Sequence, residues 1–156
     1  SMFDPTASSW AGAKGLMQIM PATAEYYGFN PRKLKDPEHS LKAGITYIDV
    51  LHNRWSVIAD SVERIKFILA SYNVGENHIE DARRLAEKYG TDPNIWTDHV
   101  EKYIKLKAKP DYYNDPVVKY GYARGSEPYE YVREIFIRYA MYRDLIPAEE
   151  NLMPAS

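Results

Sequence analysis

From Pro21 to Tyr139, apolar residues recur at helical spacing in stretch after stretch, with caps at the starts and glycines at several of the stops. Pro21 suits the first position of a short helix ending near Gly28. Asp36 can cap a second that Pro37 starts, with Leu41, Ile45, Ile48, Leu51 or His52, and Trp55 sharing one face. Ser61 can cap a third, with Val62, Ile65, Leu69 and Tyr72 facing inward and Gly75 stopping it. The run Phe67, Ile68, Leu69 widens that apolar face and predicts a central helix. A fourth runs from about Glu76 to Tyr89 on Ile79, Ala82, Leu85 and Ala86, closed by Gly90. Asp92-Pro93 opens a fifth, with Trp96, Val100, Tyr103 and Ile104 aligned. Ser126 caps a last long helix carrying Val132, Ile135, Phe136 and Tyr139. This punctuation predicts an all-α, or nearly all-α, fold.

Two stretches break the pattern. The opening "SMFDPTASSWAGAKGLMQIMPATAEYYG" sets Trp10, Leu16, Met17, Ile19 and Met20 among small residues, with Gly12 and Gly15 letting the backbone bend closely. It reads either as a terminus with some apolar residues tucked into a core, or as a loop buried because it lines a cleft. The second, "KPDYYNDPVVKYGYARGSE", has too much Pro and Gly for a helix; a loop with a short hairpin over residues 117–124 is expected. Two aromatic loops on one helical scaffold suggest a cleft. The end, "PAEENLMPAS", reads as loosely ordered, giving one domain over 1–146 and a tail over 147–156.

Composition narrows the function. Fourteen Tyr and three Trp in 156 residues are an excess, and Tyr joins a stacking face to a hydroxyl, which suits carbohydrate as well as half-buried core. A formal net charge of −2 supplies no basic stripe for nucleic acid. The four His are scattered without metal-ligand spacing, so neither metal nor cofactor is expected. Cysteine is absent, which excludes disulfides and thiolate metal sites. No stretch approaches the roughly 18 apolar residues of a membrane span. Any export signal or membrane attachment is expected in segments outside these residues.

Four short stretches, in order, resemble one family. "GLMQIMP" (15–21), "DPEHSLKAGITYI" (36–48), "ASYNVG" (70–75) and "YGYARGSEPYEYV" (120–132) look like the lytic transglycosylase catalytic domain, the lysozyme-like SLT domain, and most like its F-type membrane-bound enzymes. The resemblance spans Phe3 to about Tyr139. It implies a lysozyme-like lobe in the bacterial cell envelope, on the periplasmic side, acting on peptidoglycan glycan strands. Such enzymes cleave the β-1,4 bond between N-acetylmuramic acid and N-acetylglucosamine without water and leave a 1,6-anhydro sugar. One glutamic acid protonates the leaving oxygen, and its carboxylate then activates the C6 hydroxyl of the muramic acid. The substrate's acetamido group serves as internal nucleophile, a departure from the two-carboxylate scheme. An acid in this role needs a raised pKa, which a dry apolar wall such as Leu16, Met17, Ile19 and Met20 would provide.

The register also implies a gap. In the family the acid is the Glu of a Glu-Ser pair, closing a long helix just before an "x-F-D-P-x-A" stretch. That Ser falls at Ser1, so the Glu would precede it. The 156 residues alone are then expected to bind glycan and hardly turn it over, with the helix supplied by a longer or separate segment.

Onto this chain the resemblance carries Ser9 at the cleft, Met17 against a sugar face and Gln18 toward an acetamido group. It also carries Tyr72 and Asn73 from the family's Ala-Tyr-Asn, with Ser71 in place of the Ala, and Tyr131, whose hydroxyl would bond the catalytic acid. Each has a plainer reading: a turn-forming Ser9, packing for Met17 and Gln18, core positions for Tyr72 and Tyr131, a helix-end cap for Asn73. Glu127 is the one acid within "RGSEPYEYV" carried with them; its plainer role is to favour the Ser126 helix N-terminus. Two other classes of function stay open. One is a goose-type-lysozyme-like hydrolase, for which Asp4 would be the only second carboxylate; the other is a non-catalytic peptidoglycan-binding module.

Overall fold

The computed structural model describes residues 21–145, with side chains described through Met141. The expectations for Ser9, Met17, Gln18, the opening loop and the tail therefore lie outside the described residues. Among those described, the secondary structure is helical throughout. The helices are α1 (Pro21–Tyr26), α2 (Pro37–Arg54), α3 (Ser61–Val74), α4 (Glu76–Lys88), α5 (Glu101–Leu106), α6 (Pro110–Tyr113) and α7 (Ser126–Leu145). None of them is long and apolar enough to cross a membrane.

Most starts and stops follow local chemistry. Asp36 caps α2 by accepting from the His39 N–H, ahead of Pro37. Gly75 adopts φ 100° where α3 ends. Gly90 adopts φ 84° after α4, and the Thr91 N–H reaches back to the Ala86 carbonyl at 2.9 Å, closing the last turn. The cap of α3 is Asp60 rather than Ser61: its carboxylate accepts from the Glu63 N–H at 2.9 Å, and Ser61 is the first helical residue.

α3 is central, packing on α2, α4 and α7. The core runs through Trp55, Phe67 and Trp96, whose rings meet edge or tilted at 5.2 and 5.7 Å. Two predicted faces are displaced. On α2 the buried stripe is Ser40, Ala43, Gly44, Tyr47 and Leu51, while Leu41, Ile45 and Ile48 are 40%, 56% and 36% exposed. On α3, Tyr72 is buried as expected and Leu69 is half-buried, but Val62 and Ile65 are exposed and Phe67, Ile68, Ala70 and Ser71 are buried. Where α2 meets α3, Trp55 Nε1 donates to Ser71 Oγ at 2.9 Å and Tyr47 Oη lies 3.3 Å from the Ser71 carbonyl oxygen, so the buried side of α2 is the one carrying Tyr47 and Trp55.

The fifth helix does not open at Asp92-Pro93. Trp96–Val100 forms a wide turn, with Thr97 extended at ψ 122° and Asp98 at φ 65°, and regular helix begins only at Glu101. α3 dictates this: Glu63 accepts from the Thr97 N–H at 3.0 Å and from its hydroxyl at 3.1 Å. Trp96, Val100, Tyr103 and Ile104 are nevertheless all buried as expected.

The hairpin over 117–124 is absent, since these described residues contain no strand. Their backbone donors go elsewhere: the Lys119 and Tyr120 N–H groups donate to the Asp81 carboxylate at 2.8 and 2.9 Å, and the Val117 N–H to Asp115 at 3.0 Å. Pairing with α4 has replaced pairing with itself.

Candidate active site

The packing of α3 against α7 brings Tyr72 near enough to Tyr131 for their hydroxyls to interact electrostatically. Tyr72 is 8% exposed, and its Oη has no hydrogen-bond partner among the described residues. Asn73, the next residue on the last turn of α3, has a buried Oδ1 that is likewise unpaired. Polar atoms withdrawn from water without a partner cost about 1–3 kcal/mol each, so both are placed to be satisfied by a further group. Burial pushes the Tyr131 hydroxyl up to about 12. Burial, and then Tyr131, push Tyr72 up as well. Both stay neutral at pH 7 and can donate a hydrogen bond, but they cannot serve as the proton source for a leaving group.

From Tyr72 a ladder of rings leads outward. Tyr47 lies 5.5 Å from Tyr72 and 5.6 Å from Tyr27, centroid to centroid. Tyr47 Oη donates to Glu76 Oε2 at 2.6 Å, which keeps the tyrosine neutral; burial and then Glu76 raise its pKa. Tyr27 and Glu76 open onto a groove of about 520 Å³, also lined by Tyr26, Arg54, His78 and Tyr120.

A buried ionic clamp holds the Tyr120 wall. Asp81 and Lys107 are both fully buried and pair at 2.8 Å, and Arg84 completes the pairing on the other Asp81 oxygen. Burial works against the charged Asp81, yet the donors from Lys107, Lys119, Arg84 and Tyr120 outweigh it and hold the carboxyl below its usual range. His78 Nδ1 lies 2.5 Å from Lys107 Nζ; burial first, and then the Lys107 charge, lower its pKa to about 4. His78 is therefore neutral at pH 7, accepting from the ammonium. Asp115 fastens the same loop, accepting from Lys88 at 2.7 Å and Tyr89 at 3.2 Å.

Of the expected site residues that are described, Tyr72 and Tyr131 are brought together, with Asn73 following on α3. Glu127 sits one turn before Tyr131 on the same face of α7 and pairs with Arg124 at 3.9 Å. No described contact joins it to Tyr72. Tyr47, Arg54 and Glu76 were not singled out from sequence. The available signal was position: Tyr47 lies within "DPEHSLKAGITYI" and Glu76 directly follows "ASYNVG". Among the described residues, no group of His, Asp or Glu is arranged to hold a metal ion.

The model of the transglycosylase SLT domain family matches residues 1–95. The chain belongs to the transglycosylase SLT domain family. Three similar curated proteins share one description, membrane-bound lytic murein transglycosylase F. That of Maricaulis maris is 42% identical over 96% of this chain and 31% of its own length. That of Marinobacter nauticus is 43% identical over 86% of this chain and 26% of its own. That of Pasteurella multocida is 44% identical over the same shares, 86% and 26%. The SLT chain thus spans roughly a quarter to a third of the length of these relatives.

Proposed function

We propose that this SLT domain acts in the bacterial cell envelope, on its periplasmic side, as the catalytic part of a peptidoglycan lytic transglycosylase. It cleaves the N-acetylmuramic acid–N-acetylglucosamine β-1,4 bond with formation of 1,6-anhydromuramic acid. The observation that carries this reading is the pair of buried polar atoms, Tyr72 Oη and Asn73 Oδ1, that have no partner among the described residues, with Tyr131 acting on the first of them. On this reading the acid is the Glu that the resemblance puts immediately before Ser1. Tyr131 bonds and orients its carboxyl, and Tyr72 adds a neutral donor. Asn73, with Ser9, Met17, Gln18 and Glu127, holds the sugars. A neutral tyrosine donor beside a carboxylic acid helps to fix its geometry while burial keeps it protonated.

The test uses the polypeptide extended upstream of Ser1 through that Glu, acting on purified peptidoglycan. Tyr131→Phe should lower turnover about tenfold or more, with glycan binding almost unchanged, because it removes one hydrogen bond to the reacting acid. Turnover equal to the parent's in both Tyr131→Phe and Tyr72→Phe would overturn these assignments.

A further inference from the structure

The groove beside the tyrosine ladder carries two opposite charges that do not neutralise each other. Arg54, at the end of α2, makes no ion pair among the described residues, and its guanidinium lies 6.0 Å from the Trp55 ring. Glu76, at the start of α4, uses Oε2 to accept from Tyr47, and no described donor takes Oε1. Both line the same cavity of about 520 Å³, and on the Tyr27 hydroxyl, which burial first and then Glu76 push up, Arg54 acts in the opposite sense. Each charge also complements the dipole of its own helix, which explains their tolerance at those positions. It does not explain why both face one tyrosine-lined groove without pairing.

We propose that this groove is a subsite for a zwitterionic peptide end, an ammonium and a carboxylate on one carbon, as the peptide branches of peptidoglycan present. Glu76 Oε1 receives the ammonium and Arg54 the carboxylate, with Tyr26, Tyr27 and Tyr120 against the aliphatic stem. The assignment rests on the peptidoglycan reading above and extends it from sugar to peptide. A glycan strand lying past Tyr72 and Asn73 would carry its peptide branch toward Val74–His78, the next residues along the chain, which border the groove.

Three soluble muropeptides test it on the 156-residue chain by calorimetry. One ends in diaminopimelate, with ammonium and carboxylate on its terminal carbon; one has lysine in that place; one has the diaminopimelate amine acetylated. The chain should prefer the first by about fivefold over each of the others, the worth of one partly exposed charge pair. Arg54→Gln should erase only the preference over lysine. Glu76→Gln, which still offers an oxygen to Tyr47, should erase only the preference over the acetylated form. Equal binding of all three by the parent chain, or uniform weakening of all three by both substitutions, overturns the proposal. Chitotetraose, which has no peptide, should bind both variants as it binds the parent. If chitotetraose fails to bind the parent while the muropeptides are still distinguished, the glycan reading fails and the zwitterion subsite stands.

Discussion

Replacing Asp81 by Ala is the substitution for which the structure predicts the largest loss of stability. The carboxylate is fully buried and meets four donors: Lys107, Arg84 and the backbone N–H groups of Lys119 and Tyr120. Lys107 is itself 0% exposed, so removing Asp81 leaves a buried ammonium whose remaining hydrogen-bond partner among the described residues is His78. Breaking a buried pair from one side costs about 3–5 kcal/mol. Each stranded N–H would add about 1–3 kcal/mol where water cannot reach it. Loop relaxation will return part of this, so a loss of about 4 kcal/mol is expected. That is a large share of the roughly 5–15 kcal/mol a domain has. Lys107→Met should cost less, about 1–2 kcal/mol, because Asp81 keeps Arg84 and both backbone donors. Urea unfolding followed by far-UV circular dichroism gives both values, with an unchanged slope showing that the native state stays compact. A loss below about 1 kcal/mol for Asp81→Ala, or a larger loss for Lys107→Met, would refute the clamp.

Stability should fall as pH drops from about 6.5 to about 4, the two ends being the ordinary and the folded pKa of His78. In that window the unfolded state takes up the proton that the folded state refuses; His78→Gln should flatten the dependence of the urea midpoint on pH there. Gly125→Ala should cost about 1–3 kcal/mol by overpacking, since a Cβ there would lie 1.7 Å from the Ile104 carbonyl oxygen; a melting temperature within error of the parent's would contradict the close approach of α7 to α5. The exposed stripe Leu41, Ile45, Ile48 on α2 should make the 156-residue chain self-associate. Sedimentation velocity should show Ile45→Glu as monomeric where the parent is not, and a monomeric parent would remove the basis for a docking face.

The sequence carried what local chemistry decides. Asp36-Pro37, Gly75 and Gly90 mark helix ends because capping and left-handed glycine act within one turn, and the structure places ends at each of them. The short apolar face of α4 and the Trp96–Ile104 set were legible for the same reason. What was hidden depends on partners far along the chain. The 117–124 segment has a hairpin's composition, yet its donors are claimed by Asp81, some 38 residues earlier. Thr97 leaves the helix because of Glu63, 34 residues away. On α2 the stripe Leu41, Ile45, Ile48 has the composition of a core face, whereas the side that is buried carries Tyr47 and Trp55, whose polar atoms reach Ser71 on α3. In the site, Tyr72, Asn73 and Tyr131 came from the family resemblance. Glu76 became visible only when Tyr47 was seen to reach it.

The most direct measurement is the mass of what the domain releases from peptidoglycan. The polypeptide extended upstream of Ser1 through the Glu that the family resemblance implies there is incubated with purified sacculi, and the soluble products are weighed by mass spectrometry. The transglycosylase account predicts anhydro-muropeptides, one water lighter than the products of hydrolysis. It also predicts that the 156-residue chain alone, and the extended chain with that Glu changed to Gln, release almost none while still binding the sacculi. Reducing-end products of full mass would contradict it in favour of hydrolysis, and robust anhydro-product release by residues 1–156 alone would mean the acid lies within them, with Glu127 the first residue to change.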